Sequence, residues 1–154
     1  MKGRCTCGAV QFQLMDRPLF VHACHCTWCQ RETGSAFALN ALIETALVAR
    51  LTGEVEEVVT PSNSGKGQII ARCPICKVAL WSHYAGVGRR ASFVRVGTLE
   101  RPEDCPPDIH IFTATKLPWV VLDGRVPVME GYYDRAAHWP DWALRRSEAM
   151  RGQG

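Results

Sequence analysis

The chain has 154 residues, 47% of them hydrophobic and 21% charged, which is ordinary for a globular domain, and a formal net charge of +3 at pH 7. No apolar run approaches the length of a membrane span, and the positive charge is not gathered into the basic face of a nucleic-acid-binding protein. We therefore expect neither a membrane nor a nucleic acid as partner. The length predicts one domain over residues 1–154, with a core at about 3–134 and a tail at 135–154. The first residues lack a signal-peptide core, which favours the cytoplasm.

The chain begins with a C-x-C pair, Cys5 and Cys7. Residues 9–14 then alternate apolar and polar side chains, which predicts a half-buried strand. Residues 19–22 are predicted to form a second short strand that leads the chain to Cys24.

The next segment sets three cysteines within six residues, Cys24, Cys26 and Cys29. Thiolates are soft ligands, and three of them turned toward one centre could hold Zn²⁺ at roughly 2.3 Å from each sulfur. Three protein ligands leave one tetrahedral position open, which distinguishes a catalytic zinc from a structural one. The polar residues 30–35 predict a helical turn or loop beside the metal.

The rest of the chain predicts short strands separated by turns. We expect strands at residues 35–43, 54–60, 68–72, 78–84, 91–98, 108–113 and 119–122. Only residues 140–150 have a helical pattern. The predicted fold class is therefore mainly β, with antiparallel sheets, metal sites at strand ends and a short C-terminal helix.

The third group of cysteines is a C-x-x-C pair, Cys73 and Cys76, and together with the first pair it makes up a four-cysteine set. The alternative is a disulfide framework built from the eight cysteines. A reducing cytoplasm and pairs that would close very short loops argue against disulfides. The sequence therefore favours one closed and one open metal site. Cys105 is left over, and an ordinary free thiol is favoured over a fourth ligand or a redox group.

Several motifs resemble the glutathione-dependent formaldehyde-activating enzyme family, whose domain is shared with centromere protein V. They are G-R-C-T-C-G-A-V, C-H-C-T-W-C-Q-R-E-T-G-S-A-F, C-P-I-C with the following L-W, V-R-V-G-T-L and H-I-F-T-A-T-K-L-P-W, beginning at residues 3, 24, 73, 94 and 110. A lone C-x-x-C would be weak, but this ordered set covers most of the chain. Lys77 departs from the pattern, because glycine often follows the last cysteine.

The resemblance implies a β-tent fold of the Mss4-like type with two zinc ions per chain. It assigns a closed structural site to four cysteines, Cys5, Cys7, Cys73 and Cys76, and the catalytic zinc to Cys24, Cys26 and Cys29. It also implies a carbon–sulfur lyase that joins glutathione, as co-substrate, to formaldehyde, giving S-hydroxymethylglutathione, or that catalyses the reverse cleavage. The expected partners are therefore a small thiol and an aldehyde.

Cationic residues are needed for the carboxylates of glutathione, and Arg31, Arg72 and Lys116 are candidates, although each could be an ordinary surface charge. His22 or His25 could complete the zinc tetrahedron, but a structural role is favoured for both, and His110 could face the site or be a core histidine. Loops around Gly34, Ser64 and Gly86 are expected to set selectivity. Trp28, Trp81 and Trp119 could line a pocket there, although core packing is favoured for most of them.

Two alternatives to this activity remain open in the sequence. A zinc-stabilised binding module without catalysis is one, since fold and function separate readily. The other keeps the chemistry but uses a different thiol or aldehyde.

Overall fold

A computed structural model describes residues 1–152, which form ten strands and three α-helices. The strands are β1 (Lys2–Arg4), β2 (Gln11–Leu14), β3 (Phe20–Cys24), β4 (Ala38–Glu44), β5 (Val48–Thr52), β6 (Glu56–Thr60), β7 (Gln68–Arg72), β8 (Ala79–Tyr84), β9 (Ala91–Arg95) and β10 (Ile109–Ile111). The helices are α1 (Thr27–Thr33), α2 (Arg135–His138) and α3 (Asp141–Gly152). This confirms the mainly β class with a short C-terminal helix.

The strands form two sheets. The smaller has the order β1-β2-β5, and the larger has the order β10-β3-β4-β9-β8-β7-β6. All pairs are antiparallel except β10 with β3, which are parallel. The prediction of antiparallel sheets therefore needs one correction. The parallel pair is possible because about 85 residues separate the two strands along the chain, ample length for a crossover.

Most predicted strands are present, with ends that move by up to three residues. The strand predicted at 119–122 was wrong, because that stretch is irregular. Its apolar side chains do not pack inward, since Trp119 and Val121 are 70% and 88% exposed. The predicted helix at 140–150 is confirmed as α3. The prediction of a helical turn or loop at 30–35 falls on the second half of α1, which ends at Gly34 in the left-handed conformation.

Two apolar cores lie on the two sides of the larger sheet. Side chains alternate along a strand, so neighbouring residues of one strand enter different cores. Val21 and Ala41 enter the first core, which also holds Phe12 of the smaller sheet. Phe20 and Leu42 enter the second core, together with residues of the C-terminal segment.

The second side of the sheet carries the polar residues that matter below. Strand register places His22 opposite Asn40, and Asn40 opposite Arg95, so the three side chains share that side across β3, β4 and β9. Cys24 follows His22 by two residues and lies on the same side. The sheet thus aligns three polar side chains beside the first cysteine of the central group.

The C-terminal segment, residues 132–152, packs over this side. Trp139 stacks on Phe20 with ring centroids 5.4 Å apart, and Ala143 of α3 is fully buried. Arg146 of α3 forms an ion pair with Glu44 at the end of β4, with 2.6 Å between Nη2 and Oε2. These contacts fix the segment against the sheet. Among residues 1–152, no helix combines the length and apolar character needed to cross a bilayer.

Candidate metal centres and active site

The first cysteine cluster joins two distant parts of the chain. The sulfurs of Cys5, Cys7, Cys73 and Cys76 all lie within 4.8 Å of one another. The Sγ atoms of Cys5 and Cys7 are 3.5 Å apart, and those of Cys7 and Cys73 are 3.7 Å apart. A tetrahedral zinc with sulfurs at about 2.3 Å separates neighbouring sulfurs by about 3.8 Å. The four sulfurs therefore fit a closed tetrahedral metal site.

Local backbone geometry holds these sulfurs. The amide of Val10 donates to Cys5 Sγ at 3.3 Å, and the turn after Cys73 closes with the Lys77 amide on its carbonyl at 2.9 Å. Backbone hydrogen bonds from Cys7 and Val78 lower the pKa of Cys76 to about 6, which favours a thiolate. Lys77 itself has φ +61°, the left-handed conformation that explains why glycine is common at this place.

The second cluster lies where β3 ends and α1 begins. The sulfurs of Cys24, Cys26 and Cys29 lie within 4.8 Å of one another. Cys26 caps α1, because its sulfur accepts the Cys29 amide at 3.3 Å. Hydrogen bonds from Cys24 and Cys29 lower the pKa of Cys26 to about 2, while the hydrogen bond with Cys26 raises the pKa of Cys24. The three sulfurs thus converge on one point, an arrangement in which a soft cation can replace the thiol protons.

A cavity of about 700 Å³ opens onto the second cluster, and all three of its cysteines line the wall. The sheet supplies further wall residues, His22, Asn40, Leu42, Phe93 and Arg95. The loop between β6 and β7 contributes Ser62, Ser64 and Lys66. The C-terminal segment adds Tyr132, Arg135, Trp139, Ser147, Met150 and Arg151. The cavity therefore combines a sulfur cluster at one wall with cations on several others.

Arg95 is a site residue that sequence reasoning missed. It is 8% exposed, and its side chain donates to Asn40 Oδ1 at 2.5 Å and to Ser82 Oγ at 3.2 Å. Both partners are neutral, and Arg95 forms no ion pair among residues 1–152. A buried unpaired guanidinium is costly, so its charge needs an anionic neighbour. The sulfur cluster in the same cavity provides one, and the signal in the sequence was that Arg95 is the single charged residue of the predicted strand 91–98.

The histidines stay outside the sulfur clusters. His22 lines the cavity, and its Nε2 lies 2.6 Å from Tyr133 Oη, which in turn accepts from Trp139 Nε1 at 2.7 Å. His25 is fully buried and turns to His110, with 3.0 Å between Nε2 and Nδ1. No histidine belongs to either cluster within the part of the chain that the structure describes. His22 and His25 thus have the structural contacts that the sequence favoured.

The cationic candidates differ in their positions. Arg31 and Lys116 do not line the cavity, so their assignment to glutathione stays a prediction. Lys116 donates to two backbone carbonyls, those of Leu117 and Val120. Arg72 pairs with Glu32, and Glu32 lines the cavity.

Of the tryptophans and loop positions that were predicted to lie at a pocket, some line the cavity and others do not. Trp28 lines the cavity, Trp81 packs edge-on against Phe12 in the first core, and Trp119 is exposed. Among the loop positions, Ser64 and Gly86 line the cavity and Gly34 does not. Cys105 is buried beside Met1, with 3.5 Å between the two sulfurs, and joins neither cluster.

The fold and clusters define a mainly β protein with two cysteine clusters that could hold metal ions, one of which faces a cavity. Residues 1–115 match the family model described as "Glutathione-dependent formaldehyde-activating enzyme". Because the match covers most of the chain, this protein belongs to that family, as the motifs suggested.

The crystal structure of a Rhodobacter sphaeroides protein from a structural genomics programme is similar to this chain. The two are 20% identical, the likeness covers 83% of this chain and 99% of that chain, and the TM-score is 0.50. At that identity the likeness supports the fold alone. No curated protein matched the sequence.

Proposed function

We propose that this protein is a zinc-dependent carbon–sulfur lyase that joins glutathione to formaldehyde and catalyses the reverse cleavage. One observation carries the proposal: the three-sulfur cluster lines a cavity of about 700 Å³, which is large enough for a small peptide thiol. Membership of the glutathione-dependent formaldehyde-activating family supports the same substrates.

We infer that zinc is the metal at both clusters. All-sulfur donor sets suit Zn²⁺, Cu(I) and iron–sulfur clusters, and the sulfur separations of the closed cluster match a single tetrahedral ion. Cys5, Cys7, Cys73 and Cys76 would hold the structural ion. Cys24, Cys26 and Cys29 would hold the catalytic one, which when bound keeps a thiol deprotonated at neutral pH.

The reaction is an addition without a redox change. The glutathione sulfur bonds to the aldehyde carbon, the carbonyl π bond breaks, and the thiol proton ends on the new hydroxyl. The reverse direction breaks the carbon–sulfur bond and returns the proton to sulfur. No electrons leave the system, so the protein has to position the two reactants and stabilise a sulfur anion.

The wall residues account for these tasks. Arg95 lies on the same side of the sheet as Cys24, where its charge offsets the negative charge of the thiolates. Asn40 and Ser82 hold the Arg95 guanidinium in place through the two hydrogen bonds given above. Phe93, Trp139 and Met150 give the cavity apolar wall area, which limits water at the reacting carbon.

The cavity also bears on the alternative of a non-catalytic zinc module. A purely structural metal site is closed by four protein ligands, as the sulfurs of the first cluster are arranged to do. The second cluster has three sulfurs and faces an open space. This contrast favours catalysis over a binding role alone.

The test is the rate of the reaction above its uncatalysed background, followed by NMR of the glutathione adduct. We expect Cys26→Ser to lose turnover and one zinc per chain while it keeps the fold, because Cys26 belongs to the cavity cluster. Cys105→Ala is the matched control, since it removes a buried cysteine outside both clusters. Unchanged turnover in Cys26→Ser would rule out this function.

A further inference from the structure

The C-terminal segment places two arginines on the cavity wall beyond the residues that match the family. The family match ends at residue 115, whereas Arg135 and Arg151 both line the cavity. Arg135 begins α2, and Arg151 lies in the last turn of α3. This part of the wall is therefore a feature of this chain beyond the matched region.

The contacts of Arg135 are with neutral side chains. Arg135 lies 3.5 Å from Ser147 Oγ, and its guanidinium is 5.5 Å from the centre of the Trp139 ring. Neither arginine forms an ion pair within residues 1–152. Burial and the nearby charges of Arg135 and Arg90 lower the pKa of Arg151. The positive charges of Arg135 and Arg151 therefore lie at the same wall without an acidic side chain paired to either.

The rest of the cavity offers little compensation. Glu32 is the one carboxylate among its lining residues in the described chain, and it is already paired with Arg72. Lys66 adds further positive charge on another wall, whereas the charge of Arg95 is offset by the sulfur cluster. A cavity of this charge attracts anions and favours ligands that carry a negative group.

The packing of α3 fixes the position of Arg151, and Arg135 of α2 lies against Ser147 of the same helix. Ala143 and Ser147 of this helix are buried, and the Arg146–Glu44 ion pair joins it to the sheet. A planar guanidinium also matches a carboxylate through two parallel hydrogen bonds. The arginines are thus presented by an anchored element, which is what a recognition site requires.

We propose that Arg135 and Arg151 form an anion subsite that binds a carboxylate of the thiol substrate, so that the enzyme selects acidic thiols of the glutathione type. This inference rests on the proposed function for the identity of the thiol. It assigns substrate selection to the C-terminal segment, whereas the sulfur cluster handles the reacting atom.

The test measures binding with S-methylglutathione, whose blocked sulfur cannot react, and with its diethyl ester, which lacks both carboxylates. Quenching of tryptophan fluorescence can report binding, because Trp28 and Trp139 line the cavity. We expect the wild type to bind the acid more tightly than the ester. Arg135→Gln and Arg151→Gln should each raise the Kd of the acid by about tenfold, the effect of losing roughly 1.4 kcal/mol, and leave the ester unchanged.

Arg145→Gln is the matched control, since Arg145 lies on the same helix as Arg151 and is exposed like it, but does not line the cavity. It should bind the acid like the wild type. Circular dichroism and the melting temperature verify that all three variants are folded. Inorganic phosphate serves as a competitor, and we expect it to be much weaker than the tripeptide.

Several results would overturn the subsite: no binding of the acid by the wild type, equal Kd values for acid and ester, unchanged binding in both variants, or phosphate as strong as the tripeptide. Charge-selective binding without turnover would leave the subsite intact and remove the proposed reaction. Turnover with an unchanged glutathione KM in both variants would support the proposed reaction and rule out the subsite.

Discussion

The Tyr133 hydroxyl lies 2.6 Å from Nε2 of His22 and joins the C-terminal segment to the strand that ends at Cys24. Trp139 Nε1 donates to the same oxygen, so the hydroxyl proton is free for His22. The other ring nitrogen of His22, Nδ1, is buried without a partner within residues 1–152. One phenol thus fixes the orientation of a cavity histidine.

Tyr133→Phe should lower the free energy of unfolding by about 1–3 kcal/mol, because it leaves the buried Trp139 and His22 nitrogens without their partner. Urea denaturation measures the change. Tyr132→Phe is the control, since Tyr132 is 58% exposed, and it should stay within about 0.5 kcal/mol of the wild type. Equal losses in the two variants would contradict a specific role for the Tyr133 hydroxyl.

Cys73→Ser should affect folding more than Cys26→Ser. Cys73 is fully buried in the first core, and the closed cluster joins the start of the chain to the turn after β7. Structural zinc contributes about 10–16 kcal/mol of apparent binding free energy at neutral pH, more than many domains have in total stability. We expect loss of the cooperative thermal transition in Cys73→Ser and its retention in Cys26→Ser, with zinc content measured in both. The reverse order would show that the second cluster is the structural one.

Lys77→Gly should stabilise the protein. The left-handed conformation costs a residue other than glycine roughly 1–2 kcal/mol, and the exposed Lys77–Glu56 ion pair that would be lost contributes less than about 1 kcal/mol. We expect a gain of up to about 1 kcal/mol by urea denaturation of the metal-loaded protein. Lys77→Ala removes the same ion pair without relieving the backbone and should show no gain. A gain in both variants would trace the effect to the ion pair.

Arg95→Gln should lower turnover by about tenfold or more while both metal ions remain bound, because it removes a charge that stabilises thiolates next to the reaction. Arg95→Lys retains the charge and should recover part of the rate. Asn40→Ala removes one hydrogen-bond partner but leaves the charge, so its loss should be smaller. If Arg95→Gln instead released metal, the residue would act on the cluster's affinity rather than on the reaction.

The sequence predicted those parts of the fold that show a local pattern. In β2 apolar and polar residues alternate, and β4 is a mostly apolar run, so both strands were predicted. β1 was missed because it buries only Gly3, whose place opposite Phe12 leaves no room for a side chain. β5 was missed because its five residues are exposed or only half-buried. The false strand at 119–122 is apolar but has no partner strand.

In the candidate site, too, the residues that a local sequence pattern marks were predicted, and those brought in by distant contacts were missed. The three cysteines of the cavity cluster are neighbours in sequence, so their spacing was enough to bring them together. The four-cysteine grouping came from the family pattern, since no spacing rule joins residues 5 and 73. Tyr132, Arg135 and Arg151 were missed because they reach the cavity through the packing of the C-terminal segment, which depends on contacts distant in sequence. Arg31 does not line the cavity, and its assignment to glutathione stays a prediction.

The closed cluster has one further consequence. Cys7 and Cys73 are 66 positions apart, and a metal ion held by their sulfurs would act as a reversible cross-link across nearly half the chain. By the loop-closure relation used for disulfides, such a link lowers the conformational entropy of the unfolded chain. The resulting increase in the free energy of unfolding is about 4 kcal/mol. Unlike a disulfide, the link opens in the presence of a chelator and closes again when metal returns. The protein's resistance to unfolding should therefore follow the supply of free metal around it.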